Sequence, residues 1–286
     1  MPGLIEYLPS LDLPPYLCTN CGFWQRHFDK PVNCPLCLDA RHVLPEKGWH
    51  FLRAEEAEAQ FPMHWEELFD GVWRFWNNPV MGIGPHSYLL THPEGNVLFE
   101  GATIYSQAAL AKIESLGGVY LCAASHPHTY GALWQIQRHF DAQLAIHTGD
   151  YLWTPALKVT HPFSGQLPIQ SDIRLVETGI HFAGHSMLYD HSRRLLLCGD
   201  ALKFDLSKED PRQAVSISTH KAFVRAVPIT QQEADAYAEV FSKLDFKKTY
   251  TPFEQAHNVD TELISKFFQR VHDHYPEPHF VPIETL

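Results

Sequence analysis

From Val72 onward, short apolar runs alternate with segments of helical spacing. HSYLLTHPEGNVLFEGA (86–102) places two apolar runs around the turn-prone Pro93-Glu94-Gly95-Asn96, the pattern of a β-hairpin. IYSQAALAKIESLGG (104–118) has helical spacing and stops at Gly117 and Gly118, as a helix with a glycine C-cap does. VYLCAAS (119–125) predicts a buried strand, 131–140 a helix, and QLAIHT (143–148) and DIRLVETG (172–179) further strands. SMLYDHSRRLLLCGD (186–200) reads as two strands about a turn at 190–193. Helices are predicted over 230–244 and 260–275, with Thr230 and Asp260 as N-caps. Strands and helices alternate, yet several strands are joined by hairpins. This predicts an α/β (α+β) sandwich of mixed sheets with helices outside, in preference to a doubly wound parallel sheet.

The 286 residues, 45% of them hydrophobic, suffice for one large domain with a small appendage. We expect an N-terminal module over 1–50, a charged linker over 51–71 and the main domain over 72–286. A net charge of −11 without an obvious basic cluster argues against a nucleic-acid or anionic-membrane partner and favours a small-molecule substrate. MPGLIEYLPSLDLPPYL at the N-terminus lacks a basic region followed by an apolar core, and no run reaches the roughly 18–20 apolar residues of a membrane helix. A cytoplasmic location is expected.

Cys18, Cys21, Cys34 and Cys37 form two CxxC pairs separated by twelve residues. Each pair suits a knuckle turn, so that four thiolates converge on one soft metal ion, as in a zinc ribbon. The knuckles are also rubredoxin-like, which would make the metal iron instead of zinc. Cys122 and Cys198 stand alone in apolar runs and read as packing residues. Trp73, Phe75 and Trp76 read as core or lid. In LCAASHPHTYGALW (121–134), His126 and His128 directly follow the predicted strand, an HxH pair fit to begin a metal site.

Taken in order, LLTHPEGNVLFEGA, SHPHTYG, GIHFAGHS and LLLCGDAL resemble the successive motifs of the metallo-β-lactamase fold superfamily, over roughly residues 72–280. With the ribbon in front, the chain looks like a bacterial branch of that superfamily. The resemblance implies an αββα sandwich with His126, His128 and His181 as metal ligands and Asp200 as the carboxylate that bridges two metals in binuclear members. His185 does not match a ligand position. Where binuclear members place an aspartate and a further histidine in the first motif, this chain has Tyr130 and Gly131. Near the late histidine position it has Phe253, with His257 a few residues beyond. The resemblance therefore implies a mononuclear site holding zinc or iron, unless His147, His220 or His257 reaches in.

A single zinc held by three histidines keeps a position for water and implies a metallohydrolase acting on an ester, thioester, lactone or amide. Asp200 would serve as ligand or base, and Tyr130 as a donor to the developing oxyanion, if it is more than a wall residue. Persulfide dioxygenases share the fold and bind one iron through two histidines and an aspartate, here His126, His181 and Asp200. A non-catalytic binding module is a third reading. The poorly patterned segments near 149–170 and 203–228 are expected to form the rim, while the substrate and the oligomeric state are left open by the sequence.

Overall fold

The computed structural model describes residues 13–275 and 280–286. Most of the N-terminal stretch inspected for a leader lies outside them. Two sheets stack with helices outside. In the seven-stranded sheet the order is His161–Phe163, Gln143–His147, Leu121–Ala123, Val97–Phe99, Ser87–Leu90, Val72–Asn77 and Met63–Phe69. Its first four strands run parallel to one another and the remainder are antiparallel. The six-stranded sheet runs Gln166–Pro168, Ile173–Glu177, Ser186–Asp190, Leu195–Leu197, Lys248–Tyr250 and Gln255–Ala256, with one parallel pair.

Alternation along each strand decides which core a side chain joins. Val97, Phe99, Leu121 and Ala123 meet Leu188, Leu195 and Leu197 between the sheets. Their neighbours Leu98 and Cys122 face outward, under the Gln107–Ser115 and Leu133–Phe140 helices. Met187, Leu196 and Cys198 face the other way, under the Gln231–Phe241 and Thr261–Asp273 helices. This is the αββα order of layers. The two latter helices begin at the expected caps, with Thr230 and Asp260 accepting from Glu233 N–H and Leu263 N–H.

Two segments depart from expectation. Residues 51–71, read as a linker, are integral: Phe51–Leu52 pairs with Pro15–Cys18 in the small N-terminal sheet, Ala54–Gln60 is a helix, and Met63–Phe69 is the edge strand of the large sheet. A tight hairpin at Asp70-Gly71, both with positive φ, joins that edge strand to Val72–Asn77. Within the 203–228 rim, Lys203–Leu206 pairs with Ala214–Ser218, and the latter also pairs with Val281–Pro282 near the C-terminus. Together they make a separate three-stranded sheet.

Candidate metal centres

Strand ends bring the main site together. Glu100 follows the Val97–Phe99 strand, Ser125 and His126 follow Leu121–Ala123, and Asp200 follows Leu195–Leu197. His181 arrives on the turn between Ile173–Glu177 and Ser186–Asp190. One ring nitrogen from each of His126, His128 and His181 lies within 4.8 Å of the others. Asp200 Oδ2 is 3.6 Å from His126 Nε2 and 3.5 Å from His181 Nε2. Ligands about 2.0–2.2 Å from one tetrahedral ion lie roughly 3.3–3.5 Å apart, so the two separations from Asp200 fit a shared cation, with the His128 nitrogen close by.

The polar atoms left over give an independent test of fit. Nε2 of each of His126, His128 and His181 is buried without a hydrogen-bond partner. Leaving a buried polar atom unpaired costs about 1–3 kcal/mol, a cost that coordination removes. The tautomer of His126 suits ligation. Ser125 Oγ donates to Glu100 Oε1 at 2.6 Å, so at 2.8 Å it accepts from His126 Nδ1–H, which leaves the Nε2 lone pair free. Ser125 N–H adds a bond to Glu100 Oε2 at 2.9 Å. Glu100 itself sits at φ +65, a left-handed conformation that few non-glycine residues adopt.

Electrostatics point the same way. Burial holds His126, His128 and His181 well below the usual imidazole range, and neighbouring imidazoles push in the same direction. All three are therefore neutral, as ligands must be. Burial, reinforced by the carboxylates of Glu100 and Glu254, pushes Asp200 up to about 8 in the metal-free chain. Burial likewise pushes Glu100 up to about 7, against the hydrogen bonds from Ser125 and Thr129. A cation reverses the penalty on Asp200. Metal uptake near neutrality is thus expected to release one proton, from Asp200, and none from the histidines. Affinity should fall about tenfold per pH unit below about 8, and calorimetry in two buffers of different ionisation enthalpy should count one proton.

His185, Tyr130 and the outlying histidines take other places. Thr178 Oγ1 engages His185 Nδ1, and His185 Nε2 accepts from Asp200 N–H at 3.1 Å, so His185 positions the aspartate's backbone. His147 pairs with Glu177 at 2.8 Å, His220 Nδ1 with Ser218 Oγ at 2.8 Å, and His257 Nε2 with Tyr250 Oη at 2.8 Å. None joins the three-histidine group. Tyr130 is 3% exposed and packs in the apolar cluster under the outer helices, with Ala102 and Leu133. Its ring thus serves as a wall residue, while the phenol feels the carboxylates of Asp150 and Glu100. Trp73 and Phe75 also pack there, and Trp76 stacks on His64.

The four cysteines form the second centre. All are buried and free, with their sulfurs within 4.8 Å of one another and two pairs at 3.7 and 3.6 Å. A disulfide needs about 2.05 Å, whereas four sulfurs about 2.3 Å from one tetrahedral ion stand roughly 3.8 Å apart. The ribbon geometry fits a metal. Sequence reasoning passed over Glu100, Ser125 and two ribbon residues, Arg41 and His42, that touch the histidine centre. Arg41 Nε donates to the His181 carbonyl at 2.9 Å, and the His42 ring lies 5.5 Å from that of His128.

No family model matches the chain. It is 26% identical over 254 residues to the uncharacterized protein YmaE of Bacillus subtilis (strain 168), covering 85% of this chain and 90% of that one. A metallo-β-lactamase from Pontibacter korlensis superposes with a TM-score of 0.54 at 13% identity, covering 74% of this chain and all (100%) of the other. The DIM-1 metallo-β-lactamase gives 0.53 at 7% identity, over 74% of this chain and 99% of that one. At these identities the likeness is one of fold. Among the described residues, no helix is long and apolar enough to cross a membrane.

Proposed function

From the premise that this chain has the metallo-β-lactamase fold, we propose that it is a metal-dependent hydrolase with a mononuclear histidine centre, acting on an ester, thioester, lactone or amide of a small molecule. The observation that carries this reading is the convergence of three unpartnered imidazole nitrogens, with a carboxylate oxygen 3.6 and 3.5 Å from two of them. A scaffold relieved of metal chemistry has no reason to keep three such imidazoles together beside a largely buried carboxylate. When bound, a Lewis-acidic ion such as zinc lowers the pKa of water to about 7 and polarises a carbonyl.

The chain's own residues do the rest. His126, His128 and His181 would hold the ion through neutral nitrogens, with His126 locked by the Ser125–Glu100 relay. Asp200, with its backbone N–H held by His185, completes the ligand set or accepts the proton of the attacking water. The prediction is quantitative: purified protein holds about one ion at the histidine centre beyond the cysteine-bound one. On whichever acyl substrate it hydrolyses, Asp200→Asn lowers kcat by about 10²-fold or more. Full turnover in that variant would remove Asp200 from the mechanism.

One observation favours a second reading. His126 and His181, but not His128, form the close pairs with Asp200, and two histidines with one carboxylate are the ligand set of mononuclear iron oxygenases. Elemental analysis separates the two: iron at the histidine centre with oxygen uptake supports the oxygenase, and zinc without uptake supports the hydrolase.

A further inference from the structure

Resting on the metal-centre reading above, we propose that the two centres are one coupled unit. The ion held by the cysteines fixes residues 38–43, and Arg41 and His42 from that loop hold His181 and His128 in ligating position. The histidine centre then takes its ion with full affinity only while the cysteine centre is loaded.

A continuous set of contacts connects them. Residues 38–43 leave the second knuckle directly: Leu38 N–H donates to Cys34 O, Asp39 N–H to Leu36 O, and His42 N–H to Asp39 O. Asn20 Nδ2 reaches Cys37 Sγ at 3.3 Å and Val43 O at 3.1 Å. That same carbonyl lies 2.9 Å from His42 Nδ1, and a carbonyl can only accept, so Nδ1 carries the proton. The His42 ring then meets His128 edge-on at 5.5 Å.

A second path runs through Arg41. Its guanidinium is held by Asp39, lies 3.9 Å from the centre of the Phe182 ring, and donates to the His181 carbonyl at 2.9 Å. Phe182 joins the paths, because it packs in one buried cluster with all four cysteines. Its ring centre is 5.5, 5.1 and 5.4 Å from those of His126, His128 and His181. Arg225 Nε also donates to the His42 carbonyl at 3.0 Å, so the loop is tied to the main domain as well as to the ribbon.

Groups that orient metal ligands typically contribute about 10–100-fold in affinity, and two of them here are supplied by the ribbon. Coupling of this kind is reciprocal, so an ion at the histidine centre tightens the cysteine centre by the same factor.

Cobalt(II) titration of metal-free full-length protein tests this, because thiolate-to-cobalt charge transfer reports the cysteine centre alone and a competing chelator reads the affinity of the histidine centre. Arg41→Ala and His42→Ala should each weaken the histidine centre about 10-fold or more, with the thiolate band unchanged and Arg41→Lys recovering part of the loss. A Cys37→Ser variant that folds should show the same weakening; the two loop variants decide the matter if it does not fold. Equal cobalt affinity at the histidine centre in both loop variants and the unaltered protein overturns the coupling and leaves the hydrolase reading standing. Absence of any cobalt at that centre in the unaltered protein overturns both.

Discussion

Replacing His126 with alanine should leave a folded protein that keeps its cysteine-bound ion, loses the ion of the histidine centre and loses turnover by about 10³-fold or more. The size follows from what the ion supplies: Lewis-acid stabilisation of several kcal/mol, at about 1.4 kcal/mol per factor of ten. His126 is the sensitive position because its ring is central. It stands 4.7 Å from the His181 ring and 5.4 Å from that of His128, and its Nε2 faces Asp200 Oδ2 at 3.6 Å. Its removal also strands the Ser125 hydroxyl and Glu100 below it, a buried carboxyl whose protonation already depends on Ser125. Metal content by elemental analysis and activity on one hydrolysed substrate check the result together. Turnover persisting with an empty histidine centre would show that the chemistry lies elsewhere.

What the sequence revealed and what it hid follow from the range of the interactions involved. Helix caps at Thr230 and Asp260 are local, each side chain accepting an N–H three residues on, and the pattern around them was readable. The cysteine pairs and the HxH pair were readable for the same reason. The Met63–Phe69 strand was not, because as an edge strand it buries only Met63 and Leu68, and its charged residues look like a linker. The Asp70-Gly71 dipeptide was the signal that could have located it. Glu100 lay inside a motif that could be read, but its partner Ser125 is 25 residues away, and nothing local marks a buried carboxylate as the base of a histidine relay. Arg41 is farther still, contacting His181 across 140 residues.

The departures at Tyr130 and Gly131 have a structural cause, and it makes a second large prediction. Gly131 lies at φ +41, and a Cβ there would stand 2.2 Å from the carbonyl oxygen of Gly101 and 2.3 Å from that of Ala102. Those contacts are to backbone, which cannot swing aside. Ala132 N–H donates to the Ala102 carbonyl at 2.8 Å and Gly101 N–H to Thr129 O at 2.7 Å, so the loop after the Val97–Phe99 strand lies directly against the HPH turn. Where binuclear members of the superfamily carry a histidine, this backbone has no room for any side chain. Gly131→Ala is therefore expected to cost about 3 kcal/mol or more, from the left-handed conformation and the clash together, read as a fall in the urea midpoint. Combining Tyr130→Asp with Gly131→His, which restores the missing ligand types, should fail to create a binuclear centre. It would also bury a carboxylate in the apolar cluster that Tyr130 now fills. Two ions bound at the histidine centre of a stable double variant would contradict this account, because the proposed mononuclear state would then be a matter of ligand identity alone and not of how closely these two loops pack.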